Sequence, residues 1–207
     1  TELPKVTAVW NSIPSQLAKE NKKFIWGALK KGARAKEFEN AVQWLIDAGL
    51  VHKVPRLKKI ELPVKFYEDF SAFKLFFNDV GLLGALSDVP AKEILVSTKL
   101  MTEYKGAFTE QYVAQQYFSA LSSTYILPLY YYSNENSTLE IDFVFQKENV
   151  FPVEVKAEEN LRAKSLSTIL KANTEITGIR FSMSDYREQE RMVNVPLYLA
   201  FWYFEWV

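Results

Sequence analysis

Leu139–Lys156 reads LEIDFVFQKENVFPVEVK, and the reading of this stretch decides the fold. Its halves, LEIDFVF and VFPVEVK, are rich in β-branched and aromatic residues and predict two strands. Gln146-Lys147-Glu148-Asn149 is a short polar turn between them, so the stretch predicts a hairpin. Glu154 and Lys156 are two apart on the second strand and share a face. Asp142, on the first strand, is expected to meet them there. Carboxylates gathered on apolar strands repel unless a cation neutralises them. A hard divalent ion takes one or two carboxylates and keeps several waters. A lysine beside it holds a water or offsets charge on a transferring phosphate. A solvated edge strand can also produce the pattern of Asp, then Glu-x-Lys, so the surrounding elements decide its weight.

The totals bound the answer. A length of 207 residues suits one large domain or two small ones. Hydrophobic residues make up 48% and aromatics 15%, enough for a real core and against disorder. The formal net charge of zero argues against a generally basic nucleic-acid binder, though a local basic patch remains open. With no cysteine, thiolate metal sites, thiol nucleophiles and disulfides are excluded. The single histidine, His52, excludes histidine-rich zinc sites; lying between apolar neighbours on an expected strand, it reads as structural. No apolar run is long enough to span a membrane and no signal peptide is evident, so a cytoplasmic location without membrane attachment is expected.

From Thr1 to about Leu57 the pattern is helical. Val6, Val9, Trp10 and Ile13 follow the spacing of a buried helix face, interrupted at Pro14. A short helix is expected over Phe24–Lys30, and a stronger one over Ala35–Ala48, where Phe38, Val42, Leu45 and Ile46 form a stripe closed by Gly49. Leu50–Val54 and Ala72–Phe77 are expected to pair as strands. Helices followed by a strand pair is the order of a winged-helix module, expected here over residues 1–86. Its lysines and arginines tilt this half basic, and Lys22 and Lys23 are DNA-contact candidates. The acidic residues among them also fit a merely solvated face. Gly81 and Gly84 do not make a phosphate loop, and no Walker-type frame occurs in the chain, so no nucleotide site is expected within it.

Residues 87–102 read as a linker, and residues 103–207 as a second domain. A long helix, about Glu103–Leu121, carries Glu110. Strands follow at Ile126–Tyr132 and in the hairpin, then a helix at about Arg162–Lys171, a strand at Ile176–Met183 and a short strand at Met192–Val195. The aromatic run after Pro196 reads as a terminal helix. Arg162 and Lys164 open a helix, where phosphate contact is favoured, although a solubilising first turn would look the same.

The order helix, three strands, helix, strand resembles the core of the PD-(D/E)XK, or restriction-endonuclease-like, fold. The fold class expected is therefore mixed α/β: a winged-helix-like module followed by an α-β-β-β-α-β core. The resemblance implies a metal site with Asp142, Glu154 and Glu110 as ligands of Mg²⁺ or Mn²⁺ and Lys156 as the catalytic lysine. Ile141 stands where the family name has proline. Runs such as FENAVQWLIDAGLVHKV, FKLFFNDVGLLGAL and EIDFVFQKENVFPVEVKAEENLRAKSL narrow the likeness. They resemble the C-terminal region of bacterial and archaeal AAA+-like P-loop ATPases, a nuclease-like domain of unknown function. This implies that the ATPase part is missing from the segment.

Three functions follow as expectations. The first is a Mg²⁺-dependent phosphodiesterase acting on DNA. The second is a non-catalytic DNA-binding or regulatory domain of the ATPase, with a relic metal site. The third is an interaction module docking through the aromatic terminal helix. Expected partners are the ATPase domain, DNA and a second copy of the chain.

Overall fold

A computed structural model describes residues 2–88, 102–121, 127–158 and 163–207. Helix α1 (Leu3–Leu17) buries Val6, Val9 and Ile13 of the expected stripe, leaves Trp10 half-buried, buries Leu17 in addition, and runs on through Pro14. The expected Phe24–Lys30 helix is a single 3₁₀ turn at Trp26–Ala28. Helix α2 (Ala35–Asp47) buries Phe38, Ala41, Val42 and Leu45, and Gly49 follows it at φ +67°, a conformation glycine adopts without steric cost. Strands β1 (Val51–Leu57) and β2 (Glu68–Phe77) pair antiparallel, with a register shift at Pro55/Arg56. A short helix α3 (Val80–Leu86) starts at Asp79, whose side chain accepts from the Gly81 N–H.

The second half supplies helix α4 (Thr102–Ala120), strands β3 (Leu129–Ser133), β4 (Glu140–Gln146) and β5 (Val150–Val155), and helix α5 (Lys164–Ala172). After them come β6 (Gly178–Ser182), β7 (Arg187–Gln189), β8 (Met192–Pro196) and helix α6 (Ala200–Trp206). The hairpin is therefore where the sequence placed it, whereas β7 was not expected. The linker expected over residues 87–102 falls almost wholly outside the described residues. Among the described residues, no helix is long and apolar enough to cross a membrane.

Among the described residues, eight strands join one mixed sheet, in the order β2-β1-β3-β4-β5-β6-β8-β7. The strand pair expected as a wing extends this sheet, because β1 runs parallel to β3 through Arg56↔Tyr131 and Leu57↔Tyr132. From β3 to β5 the strands form an antiparallel meander, and α5 then crosses over to β6, parallel to β5.

The sheet separates two cores. On one side, α1, α2 and α3 contact β1 and β2, α4 contacts β2 and β5, and α6 contacts β8, in a core that includes Phe143, Phe145, Val153, Val155, Ile179 and Phe181. On the other, α5 packs Leu166 and Leu170 against Tyr130, Ile141, Val144 and Val150. The free edge of β2 is closed at its end by Gln111 of α4. This fully buried amide accepts from the Phe77 N–H at 2.9 Å and donates to the Phe77 carbonyl at 2.7 Å. It thereby satisfies two backbone groups that an edge strand would leave open.

Candidate functional site

The hairpin ladder pairs Gln146↔Val150 through Phe143↔Val153 and stops there. Beyond that point β4 continues along β3, while β5 continues along β6 through Glu154↔Arg180 and Val155↔Phe181. Asp142 and Glu154 are the first residues past the parting of the two strands. Across β3 and β4 the register moves from Tyr130↔Val144 to Tyr132↔Ile141, so Asp142 and Phe143 together oppose Tyr131. This β-bulge breaks the alternation of β4. Ile141 packs with α5, and the extra residue turns Asp142 to the same side as Phe143, towards α4.

Glu154 lies on the opposite side. Its neighbours Val153 and Val155 belong to the helix-rich core. Its own carboxylate accepts the Leu166 N–H of α5 at 3.3 Å and pairs with Lys156 Nζ at 2.5 Å. The expected meeting of Asp142 with Glu154 and Lys156 on one face is thus replaced by two clusters. Asp142 joins Glu110 on the α4 side, and Glu154 joins Lys156 on the α5 side. A hydrogen bond bridges them: Asp142 Oδ2 accepts the N–H of Val155 at 2.7 Å, between the Glu and the Lys.

The α4-side cluster holds two cations. Lys22 Nζ is 2.7 Å from Glu110 Oε1. Lys74 of β2, whose side chain is 0% exposed, is 2.6 Å from Glu140 Oε1 and 3.8 Å from Glu110 Oε2. It also lies 4.7 Å over the Tyr131 ring. Burial opposes the charge on Lys74, but Glu110, Glu140 and Asp142 together outweigh it and raise its pKa. Three carboxylates against two ammonium groups leave one negative charge in excess. Asp142 carries the consequence: burial first, and Glu110 next, push its carboxyl up to about 7, against the pull of Lys74, the Val155 N–H and Lys22.

As arranged, these residues do not fit a metal centre. Among the described residues, no group of three or more His, Cys, Asp or Glu side chains comes together to hold an ion. The ammonium groups of Lys22 and Lys74 stand where a cation would neutralise Glu110. One atom goes the other way: Glu110 Oε2 is buried and has no hydrogen-bond partner.

The basic candidates divide similarly. Lys22 is committed to Glu110 and only 14% exposed. Lys23 is half-buried and Lys164 is exposed at the start of α5. Arg162 lies outside the described residues. His52 is structural as expected: it stacks on Phe118 at 3.8 Å between ring centroids and bonds to Asn78, and burial lowers its pKa. The terminal helix buries Phe204 and leaves Trp202 and Trp206 exposed.

Sequence reasoning missed Lys74 and Glu140. The signal for Lys74 was available: one lysine inside SAFKLFF, a strand apolar on both faces, must be buried with partners.

Residues 1–93 match a family described as a domain of unknown function (DUF8612), and residues 105–200 match another domain of unknown function (DUF4143). Domains of the second kind are commonly found after AAA ATPase domains. No curated protein and no solved structure matches the chain.

Proposed function

We propose that this chain is a nuclease-like domain that serves an ATPase as a non-catalytic, DNA-engaging module, its acidic centre converted into an ion-pair network. The scaffold supports the first half of this reading. A helix carrying Glu110, an antiparallel meander carrying Asp142 and Glu154-Val155-Lys156, a crossover helix and a parallel strand follow the core order of the restriction-endonuclease-like fold. The observation that carries the second half is Lys74. It is fully buried, it is held by Glu140 and Glu110, and it comes from β2, outside that core. An ammonium group fixed in this way neutralises the carboxylates that a catalytic ion would need.

The test pairs binding with cleavage. Fluorescence anisotropy on linear and branched DNA is expected to show binding, and gel assays with Mg²⁺ or Mn²⁺ to show no cleavage. Glu154→Ala is expected to leave DNA affinity intact. Cleavage that disappears in Glu154→Ala would overturn the reading.

One observation favours a second reading, a Mg²⁺-dependent phosphodiesterase: the buried, unbonded Glu110 Oε2 beside a carboxyl pushed up to about 7 at Asp142. It requires Lys22 and Lys74 to withdraw from Glu110. Calorimetric Mn²⁺ binding by the wild type that is lost in Asp142→Ala would establish it.

A further inference from the structure

The α5 side of the sheet carries a cleft that the expected phosphate contacts touch only at Lys164. It has a volume of about 610 Å³ and lies between α5 and strands β6, β7 and β8. Lys164 and Lys171 line it from the helix, and Arg180 and Arg187 from the sheet, with Ser167 and Thr168 between them. Among the described residues, no acidic side chain lines it. Lys164 and Lys171 are two turns apart, roughly 10 Å along the helix axis. The two arginines face them, so the cleft is cationic on both walls.

Arg180 shows that this is a built feature and not a solvated face. It is 2% exposed, on a strand whose neighbours Ile179 and Phe181 are core residues. Asn194 Oδ1 accepts its Nε–H at 2.9 Å and Gln189 Oε1 accepts from Nη2 at 3.5 Å. Asn194 is itself fixed: it accepts from Ser182 Oγ at 2.8 Å and donates to the carbonyls of Ser184 and Asp185 at 3.2 and 2.8 Å. Two layers of side chains thus aim one buried guanidinium. Burial first, and the like charge of Arg187, lower its pKa against the pull of Glu154. Guanidinium groups match phosphate oxygens in pairs, and the neighbouring hydroxyls supply further donors.

We propose that the cleft between α5 and the β7–β8 edge is a binding site for phosphate esters, with Arg180 as the fixed anchor and Lys171 and Arg187 as the outer clamp. The volume suits a nucleotide-sized group. The same phosphate chemistry is presented by a free nucleotide and by a nucleic-acid backbone. Only the backbone arm rests on the DNA-engaging reading above.

Two probes separate the sources: ADP, followed by calorimetry, and fluorescein-labelled single- and double-stranded DNA, followed by anisotropy. Lys171→Glu and Arg187→Glu change exposed side chains and leave the core intact, and Lys36→Glu on α2 is the charge-matched control. Both cleft variants are expected to weaken the bound probe at least tenfold, and the control to weaken it less than twofold. If DNA is the ligand, the salt slope is expected to fall by about one for each cation removed. ADP binding without DNA binding would keep the cleft and sink the DNA reading. DNA binding untouched by both cleft variants would keep that reading and overturn the cleft. Absence of binding by either probe would also overturn it.

Discussion

Asp142 and Val155 are joined across the parting of β4 and β5 by a 2.7 Å hydrogen bond from backbone N–H to carboxylate. Where a continued ladder would put a carbonyl, the chain puts a side chain. The bond links the carboxylate cluster facing α4 to the Glu154–Lys156 pair facing α5. Its acceptor is also the group with the excess charge, so the hinge of the site is titratable.

That titration has a definite sign. The Asp142 carboxyl is raised from 3.8 to about 7, by burial and then by Glu110, so the folded state holds a proton that the unfolded chain releases. Its contribution to stability is full below about pH 4 and is lost as pH rises through 7, with a limiting slope of about 1.4 kcal/mol per pH unit. Asp142→Asn keeps an acceptor for Val155 and removes the ionisation. Urea unfolding between pH 4 and 8 is expected to show the falling limb in the wild type and a flatter one in the variant. Equal slopes would mean that Asp142 is ionised throughout.

Asp69 gives the opposite limb. Burial would raise its carboxyl, but the Ser71 hydroxyl and N–H and the Arg56 guanidinium outweigh it and hold it at about 2, against 3.8. This contribution is present above about pH 4 and lost as pH falls toward 2. Together the two aspartates place their combined maximum near pH 4. Asp69→Asn is expected to soften acid unfolding without altering the neutral limb, as followed by circular dichroism.

Lys74 is the costliest single residue to remove from the network. Lys74→Met fits an apolar strand but leaves Glu140 without its ion-pair partner and Glu110 with Lys22 alone, at an expected cost of about 3–5 kcal/mol. Adding Glu140→Gln is expected to recover part of that loss. A double-mutant cycle by denaturant unfolding measures the coupling, and additive costs would deny that the pair acts as a unit.

The order of elements was legible in the sequence because apolar periodicity and turn residues are local signals. Val6, Val9 and Ile13, or the alternation in LEIDFVF, state their elements directly. The site was legible only in its membership. Glu110 and Asp142 are neighbours as expected, but the period-two rule put Asp142 on the face of Glu154. The bulge at Asp142–Phe143 reverses that parity in the folded strand, whereas the residue pattern of LEIDFVF runs through Asp142 without a break. Lys22 illustrates a second limit. A lysine in a polar turn reads as surface, and only the packing of that turn against α4 makes it the partner of Glu110.

Gly178 tests the placement of α5, on which both the Glu154 cluster and the basic cleft depend. A Cβ at this position would lie 2.8 Å from Leu166 Cδ1 and 3.1 Å from Leu166 Cγ, too close for undistorted packing. Leu166 is fully buried at the first turn of α5, and its N–H is the donor to Glu154. Gly178→Ala therefore has to move Leu166 or the helix. The expected cost is about 1–3 kcal/mol by denaturant unfolding, the range for overpacking. If the proposed cleft is real, the same shift spreads Lys164 and Lys171 away from Arg180, and the variant binds phosphate esters more weakly at temperatures where it is still folded. Gly178→Ala combined with Leu166→Ala removes the clash by truncating the obstructing side chain. It is expected to return α5 toward its original position and to recover binding, while the truncation itself costs stability. Binding that fails to recover in a folded double variant would separate the cleft from the position of α5.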